Sequence, residues 1–112
     1  MGGVGTRKTF ENDQVAVWDL ELQPGEEAGR HTHRRDYVVR VLSGAVLEIF
    51  DGDGKSLGEV ELEPGAAVCF RIEGDLIMAD RPGYPEVPAT HNVRNVGETT
   101  FREVLVEFKD AP

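Results

Sequence analysis

The sequence predicts an all-β domain, an antiparallel sandwich or barrel. Three observations carry that prediction. Short runs with apolar residues at alternate positions restart every 8–15 residues or so along the chain, which is the rhythm of strands joined by turns. Thirteen glycines and six prolines punctuate 112 residues, a density that calls for many short elements and tight connections. No segment shows a helical repeat, so crossover helices and the parallel sheets they serve are excluded.

The elements follow in order. Residues 15–22 end in alternation, with Trp18, Leu20 and Leu22 on one face and Asp19 and Glu21 on the other, as in a half-buried strand. Pro24-Gly25 turns the chain, and a second extended run covers about residues 31–42, with Val38, Val39, Val41 and Leu42, until Ser43-Gly44. Residues 45–50 form a third strand. Asp51-Gly52-Asp53-Gly54 is a hairpin loop, and residues 57–62 return from it. Pro64-Gly65 repeats the earlier turn, and Val68, Phe70 and Ile72 alternate in a fifth strand. A short extended run, His-Asn-Val-Arg-Asn, begins at His91, and the last strand spans residues 101–108 with Val104, Val106 and Phe108 on one side. By that parity Glu103 is exposed unless the sheet is covered.

Size and composition bound the rest. The chain is long enough for one core and too short for two, so residues 13–112 are expected to be one domain after a flexible glycine-rich segment, 1–12. Twenty-one acidic against twelve basic residues leave a net charge of −9, which repels phosphate backbones and anionic lipid. Nucleic acid and membrane are therefore not expected partners. No apolar run reaches the length of a membrane span or a signal-peptide core, and a cytoplasmic location is expected. Met1 to Thr6 fits a myristoylation pattern at Gly2, but so short a pattern arises often by chance. The single cysteine, Cys69, lies in the run Ala-Ala-Val-Cys-Phe and reads as a buried thiol.

Residues 73–90 interrupt the strand rhythm. Three prolines there argue against a central strand, and so long a loop in a small domain is a candidate lid. Met78, Tyr84 and Val87 are the side chains that would close over a ligand.

The three histidines carry the chemistry. His31 and His33, at i and i+2 of an extended run, point to the same side, and neutral imidazole is a ligand for zinc, iron, nickel and copper. His91 is the remaining histidine, and strands that far apart in sequence are routinely neighbours in an antiparallel sandwich. Gly25-x5-His31-x-His33, then Gly44, resembles the first signature of the cupin family at each fixed position except the glutamate. His91-x3-Asn95 and Pro64-Gly65 resemble the end and the start of the second. The resemblance covers about residues 13–108.

The resemblance implies a jelly-roll barrel that holds one divalent ion, Fe, Zn, Ni or Mn, on His31, His33 and His91. The family's glutamate position is Tyr37 here, whose neutral phenol is a poor ligand but a fitting hydrogen-bond partner for bound substrate. Arg35 shares the parity of the histidine pair and is a candidate contact for a substrate carboxylate. Met78 and Tyr84 are candidate substrate contacts, and Asn95 is expected to orient His91 or the turn after it. The resemblance thus implies a metal-dependent enzyme acting on a small polar substrate, with dioxygenase chemistry marginally favoured over isomerase or lyase chemistry because a site without the glutamate resembles those of the family's three-histidine dioxygenases. The alternative is a non-catalytic binding or sensing cupin. The resemblance also implies a homodimer, formed by strand exchange or sheet packing, for which the exposed edge strands of an open sandwich supply a physical reason.

Overall fold

The computed structural model describes residues 3–109. Eleven strands and no helix occupy them: β1 Arg7–Glu11, β2 Val15–Leu22, β3 His31–Thr32, β4 Tyr37–Ser43, β5 Ala45–Asp51, β6 Ser56–Leu62, β7 Ala67–Glu73, β8 Leu76–Ala79, β9 Val87–Pro88, β10 Thr90–Asn95 and β11 Phe101–Phe108. No helix is long and apolar enough to cross a membrane. The Gly2 pattern lies outside the described residues.

Two antiparallel sheets face each other as a jelly-roll-like sandwich. One has seven strands in the order β1-β2-β11-β4-β7-β8-β9, and the other has four, β3-β10-β5-β6. Alternation builds the interior from both sides: Tyr37, Val39 and Val41 of β4 point inward, as do Ala45, Leu47 and Ile49 of β5. Core residues fall into two groups. One gathers Phe101, Leu20, Leu22 and Leu62. The other, around Phe70, Ile77, Val87 and Leu105, surrounds the histidines.

Glycines fix the chain reversals. Gly25 and Gly65, each after a proline, have φ of 89° and 87°, a region closed to most side chains. Gly44 acts through space instead, because a Cβ there would stand 2.4 Å from the Leu62 carbonyl oxygen and 2.9 Å from Pro64 Cδ. Gly44→Ala is therefore expected to cost about 2 kcal/mol of stability through a forced shift of backbone, measurable by urea denaturation.

Four expectations need correction. First, residues 1–12 contain β1, which pairs with β2, and Val4 is buried between the sheets. A glycine-rich composition does not reveal a tertiary partner. Second, residues 73–90 are not a structureless loop: β8 pairs with β7 and β9 with β8. Gly74, at φ 65°, makes the β7–β8 turn. Pro88 sits in β9 at the sheet edge, where a missing N–H is tolerated. Third, β11 is apolar on both faces, and the inward set is Phe101, Glu103, Leu105 and Glu107, while Val104 and Val106 face outward. Fourth, Cys69 is exposed, because β7 alternates and Val68 and Phe70 take the inner positions.

Candidate metal centre

The run expected as one strand is split between the sheets. β3 carries His31, β4 begins at Tyr37, and residues 33–36 cross from one sheet to the other. His33 still continues the ladder, its N–H donating to the Ala89 carbonyl at 2.9 Å, and so remains on the side of His31. His91 of β10 lies directly opposite His31 in the β3–β10 pairing. Cross-strand neighbours share a face, and that register brings the third ring to the other two.

All three rings are buried, at 5%, 3% and 6% exposure. Their ring centroids are 4.9 Å apart for His31 and His33, 4.5 Å for His31 and His91, and 5.0 Å for His33 and His91. One nitrogen from each lies within 4.8 Å of the others. The Nδ1 of His31 donates to the Gly29 carbonyl at 2.8 Å, and that of His91 donates to the Pro88 carbonyl at 2.9 Å. A carbonyl only accepts, so the proton is on Nδ1 and the Nε2 lone pair is left for an electrophile.

Desolvation drives all three imidazoles toward the neutral, ligating form. The pKa of His33 falls to about 2, by burial first and then by the two neighbouring rings. That of His91 falls to about 4, by burial and by His31. Burial also lowers that of His31, against the opposing Gly29 hydrogen bond. His33 Nδ1 is a buried nitrogen with no hydrogen-bond partner. Three neutral imidazoles around one point, with a polar atom left unsatisfied, fit a divalent cation.

The rings open on a small cavity of about 60 Å³, walled by Leu20, Leu47, Ile49 and Leu105 among others. Tyr37 lines it, stacked at 4.2 Å on His33 and at 4.7 Å on Phe70. Burial raises the pKa of Tyr37 well above its ordinary value, so its phenol is neutral. Tyr84 meets Phe70 edge-on at 5.4 Å and also lines the cavity. Val87 is buried in the same wall.

Two of the expected contacts lie elsewhere. Met78 alternates away, and its neighbour Ile77 is the residue of β8 that faces the cavity. Arg35 is exposed and lines a separate surface groove with Asp36 and Lys109. The crossing between sheets breaks the strand parity on which its placement rested. Arg30 and Arg34 instead line an open groove that shares His33 with the cavity. Asn95 is fully buried, and its Nδ2 donates to the carbonyls of Leu22 and Thr99 while its Oδ1 accepts from Gly97. It clamps the turn after β10 rather than touching His91.

Glu103 is the residue that sequence parity missed. It is 7% exposed, lines the cavity, and desolvation raises its carboxyl pKa to about 8. The available signal was that Phe101 and Leu105 share its parity, as apolar a face as Val104 and Val106. Glu107, two residues on, is also buried, but its Oε1 accepts from Trp18 Nε1 at 2.9 Å.

No family model matches the chain, and no curated protein compared with it does. Solved structures do. A cupin domain from Bordetella pertussis superposes over 98% of this chain and 99% of its own, with 28% identity and a TM-score of 0.67. A cupin superfamily protein from Desulfitobacterium hafniense covers 98% of this chain and 84% of its own, at 15% identity and a TM-score of 0.53. A polyketide cyclase from Streptomyces resistomycificus covers 95% and 65%, at 19% identity and a TM-score of 0.57. With the same fold along its length and three histidines converging inside the sandwich, this chain has the fold of a small cupin.

Proposed function

We propose that this cupin is a metal-dependent enzyme that converts a small substrate inside the sandwich, with dioxygenation as its reaction. One observation carries the reading: three buried, neutral imidazoles share one point at the wall of a largely apolar cavity. A divalent ion there would be held by His31, His33 and His91 and would supply Lewis acidity or, as iron, the activation of dioxygen.

The remaining work belongs to the chain. The Gly29 and Pro88 carbonyls hold the His31 and His91 rings in one tautomer. Tyr37, fixed between His33 and Phe70, offers a neutral hydroxyl to an oxygen of the substrate. Apolar walls exclude water. Among the described residues, no lysine or arginine lines the cavity, so its interior suits an uncharged group. A substrate carboxylate is better served by Arg30 and Arg34 in the adjoining groove.

A second reading has its own support. Glu103, with a pKa near 8, is poised to give or take a proton at neutral pH, which favours isomerase or lyase chemistry. The test is metal analysis after reconstitution with iron, zinc, nickel and manganese, followed by oxygen uptake and product analysis with small thiols, diketones and carboxylic acids. Oxygen uptake that disappears in His91→Ala supports dioxygenation. Product without oxygen uptake, lost in Glu103→Gln, supports the second reading. Stoichiometric metal without turnover leaves a binding or sensing cupin, and no metal at all overturns every one of these readings.

Tyr37→Phe keeps both ring stacks and removes only the hydroxyl. Metal content is expected to be unchanged and turnover to fall at least about tenfold. Equal loss of metal would mean that the hydroxyl serves the site's structure instead.

A further inference from the structure

The cavity beside the histidines measures about 60 Å³, room for a few waters and too little for an ion together with a substrate. One of its walls must therefore yield. Most residues that line it belong to paired strands, but His33, Tyr84 and Val4 do not. His33 is nonetheless tied by its N–H to the Ala89 carbonyl. The segment that carries Tyr84 is tied at Asp80, whose N–H donates to the Cys69 carbonyl, and by the Arg81–Glu63 ion pair. Val4 stands apart. Gly3, Val4 and Gly5 make no backbone hydrogen bond among the described residues. The first anchor is Thr6, whose N–H donates to the Asp19 carbonyl at 2.7 Å and whose hydroxyl accepts from the Glu21 N–H at 2.9 Å.

We propose that residues 3–6 are the door of the metal cavity, with Val4 as its plug and Thr6 as its hinge. The inference rests on the proposed metal centre at the three histidines. Val4 is 8% exposed and packs with Tyr37, Phe70 and Leu105 while lining the cavity, so its withdrawal joins the cavity to water. Both neighbouring glycines lie against Trp18. A Cβ on Gly5 would stand 2.8 Å from the Asp19 carbonyl oxygen and 2.8 Å from Trp18 Cβ, and one on Gly3 would meet the indole at 3.4 Å. The strap is thus seated by close contact and one apolar side chain. Burying a single valine gains about as much as ordering three residues costs, which leaves the closed and open states near each other in free energy. Ion and substrate enter when Val4 swings out, and its return excludes water.

Stopped-flow uptake of zinc and of cobalt by the metal-free full chain tests the proposal. A door makes the observed rate level off as metal concentration rises, and one plateau is expected for both ions because the protein alone sets it. Gly5→Ala unseats the strap without touching the cavity lining, and Val4→Gly removes the plug. Each is expected to raise the plateau at least about tenfold, the scale of one buried valine. Each should also make Trp18, the chain's single tryptophan, more accessible to acrylamide. Release of zinc to a chelator should accelerate in step, leaving affinity within about twofold of wild type, because a door changes rates and not the binding equilibrium. Faster release with weakened affinity would mean that the whole site has loosened, and overturns the proposal. So does a wild-type rate that climbs in proportion to metal without limit, a plateau that differs between zinc and cobalt, or one that both variants leave in place, which would move the door to Tyr84 or His33. The wild-type plateau decides even if a variant fails to fold. Zinc that never binds overturns the metal centre itself, and the door with it.

Discussion

Replacing His33 with leucine is expected to abolish metal retention while leaving the metal-free chain at least as stable as the original. The two effects have opposite signs for one reason. His33 is buried against Tyr37 with its Nδ1 unsatisfied, and an unsatisfied buried polar atom costs roughly 1–3 kcal/mol. Burial also suppresses its protonated form. Leucine fits the same apolar surroundings without that penalty, yet it takes away one of three imidazoles. Loss of a ligand is expected to weaken zinc binding by at least about a hundredfold, since even disturbing a ligand's supporting hydrogen bonds reduces affinity 10–100-fold or so. Competitive chelator titration and urea denaturation of the metal-free proteins measure both sides. A destabilised variant with intact zinc affinity would make His33 an ordinary core residue.

Glu103→Gln is expected to stabilise the metal-free protein at high pH and to do little in acid. The carboxyl's pKa rises from 4.5 in the unfolded chain to about 8 when buried. The unfolded chain therefore releases this proton first as pH rises. Glu103's contribution to folding is most favourable below about pH 4.5, declines steadily as pH climbs to about 8, and is level beyond. At pH 7 the accumulated penalty is about 3 kcal/mol. Glutamine keeps the shape and cannot ionise, so the gap between variant and wild type should open with pH. Comparing the two proteins cancels the opposite trend from the histidines, whose lowered pKa values favour folding as pH rises toward 6.5. Equal stability differences at pH 5 and pH 8 would show that Glu103 ionises freely in the folded state. Such a penalty is the kind of cost that functional sites carry.

Much of the fold was legible because alternation and turn chemistry are local. Trp18, Leu20 and Leu22 share a face, and the Pro-Gly turns stand at Gly25 and Gly65, because such patterns depend only on neighbouring residues. The histidine spacing also survived, although β3 is only two residues long, because the chain stays extended through His33. What the sequence hid depends on neighbours across the sandwich. Phe101-x-Glu103-x-Leu105 and Val104-x-Val106-x-Phe108 are equally plausible inner faces, and only the opposing sheet decides between them. Arg35 was misplaced because parity cannot be counted through a crossing between sheets. Val4 packs into the core from a stretch whose composition looks like a flexible start, and Cys69 is turned outward by alternation inside an apolar run.

X-ray absorption on the zinc-loaded protein tests the central claim most directly, because it counts the imidazoles around the ion. Wild type should show three imidazole nitrogens at about 2.0–2.1 Å, and His91→Ala should show two. A wild-type spectrum with fewer than three imidazoles, or one that is unchanged by His91→Ala, would contradict a centre built by His31, His33 and His91.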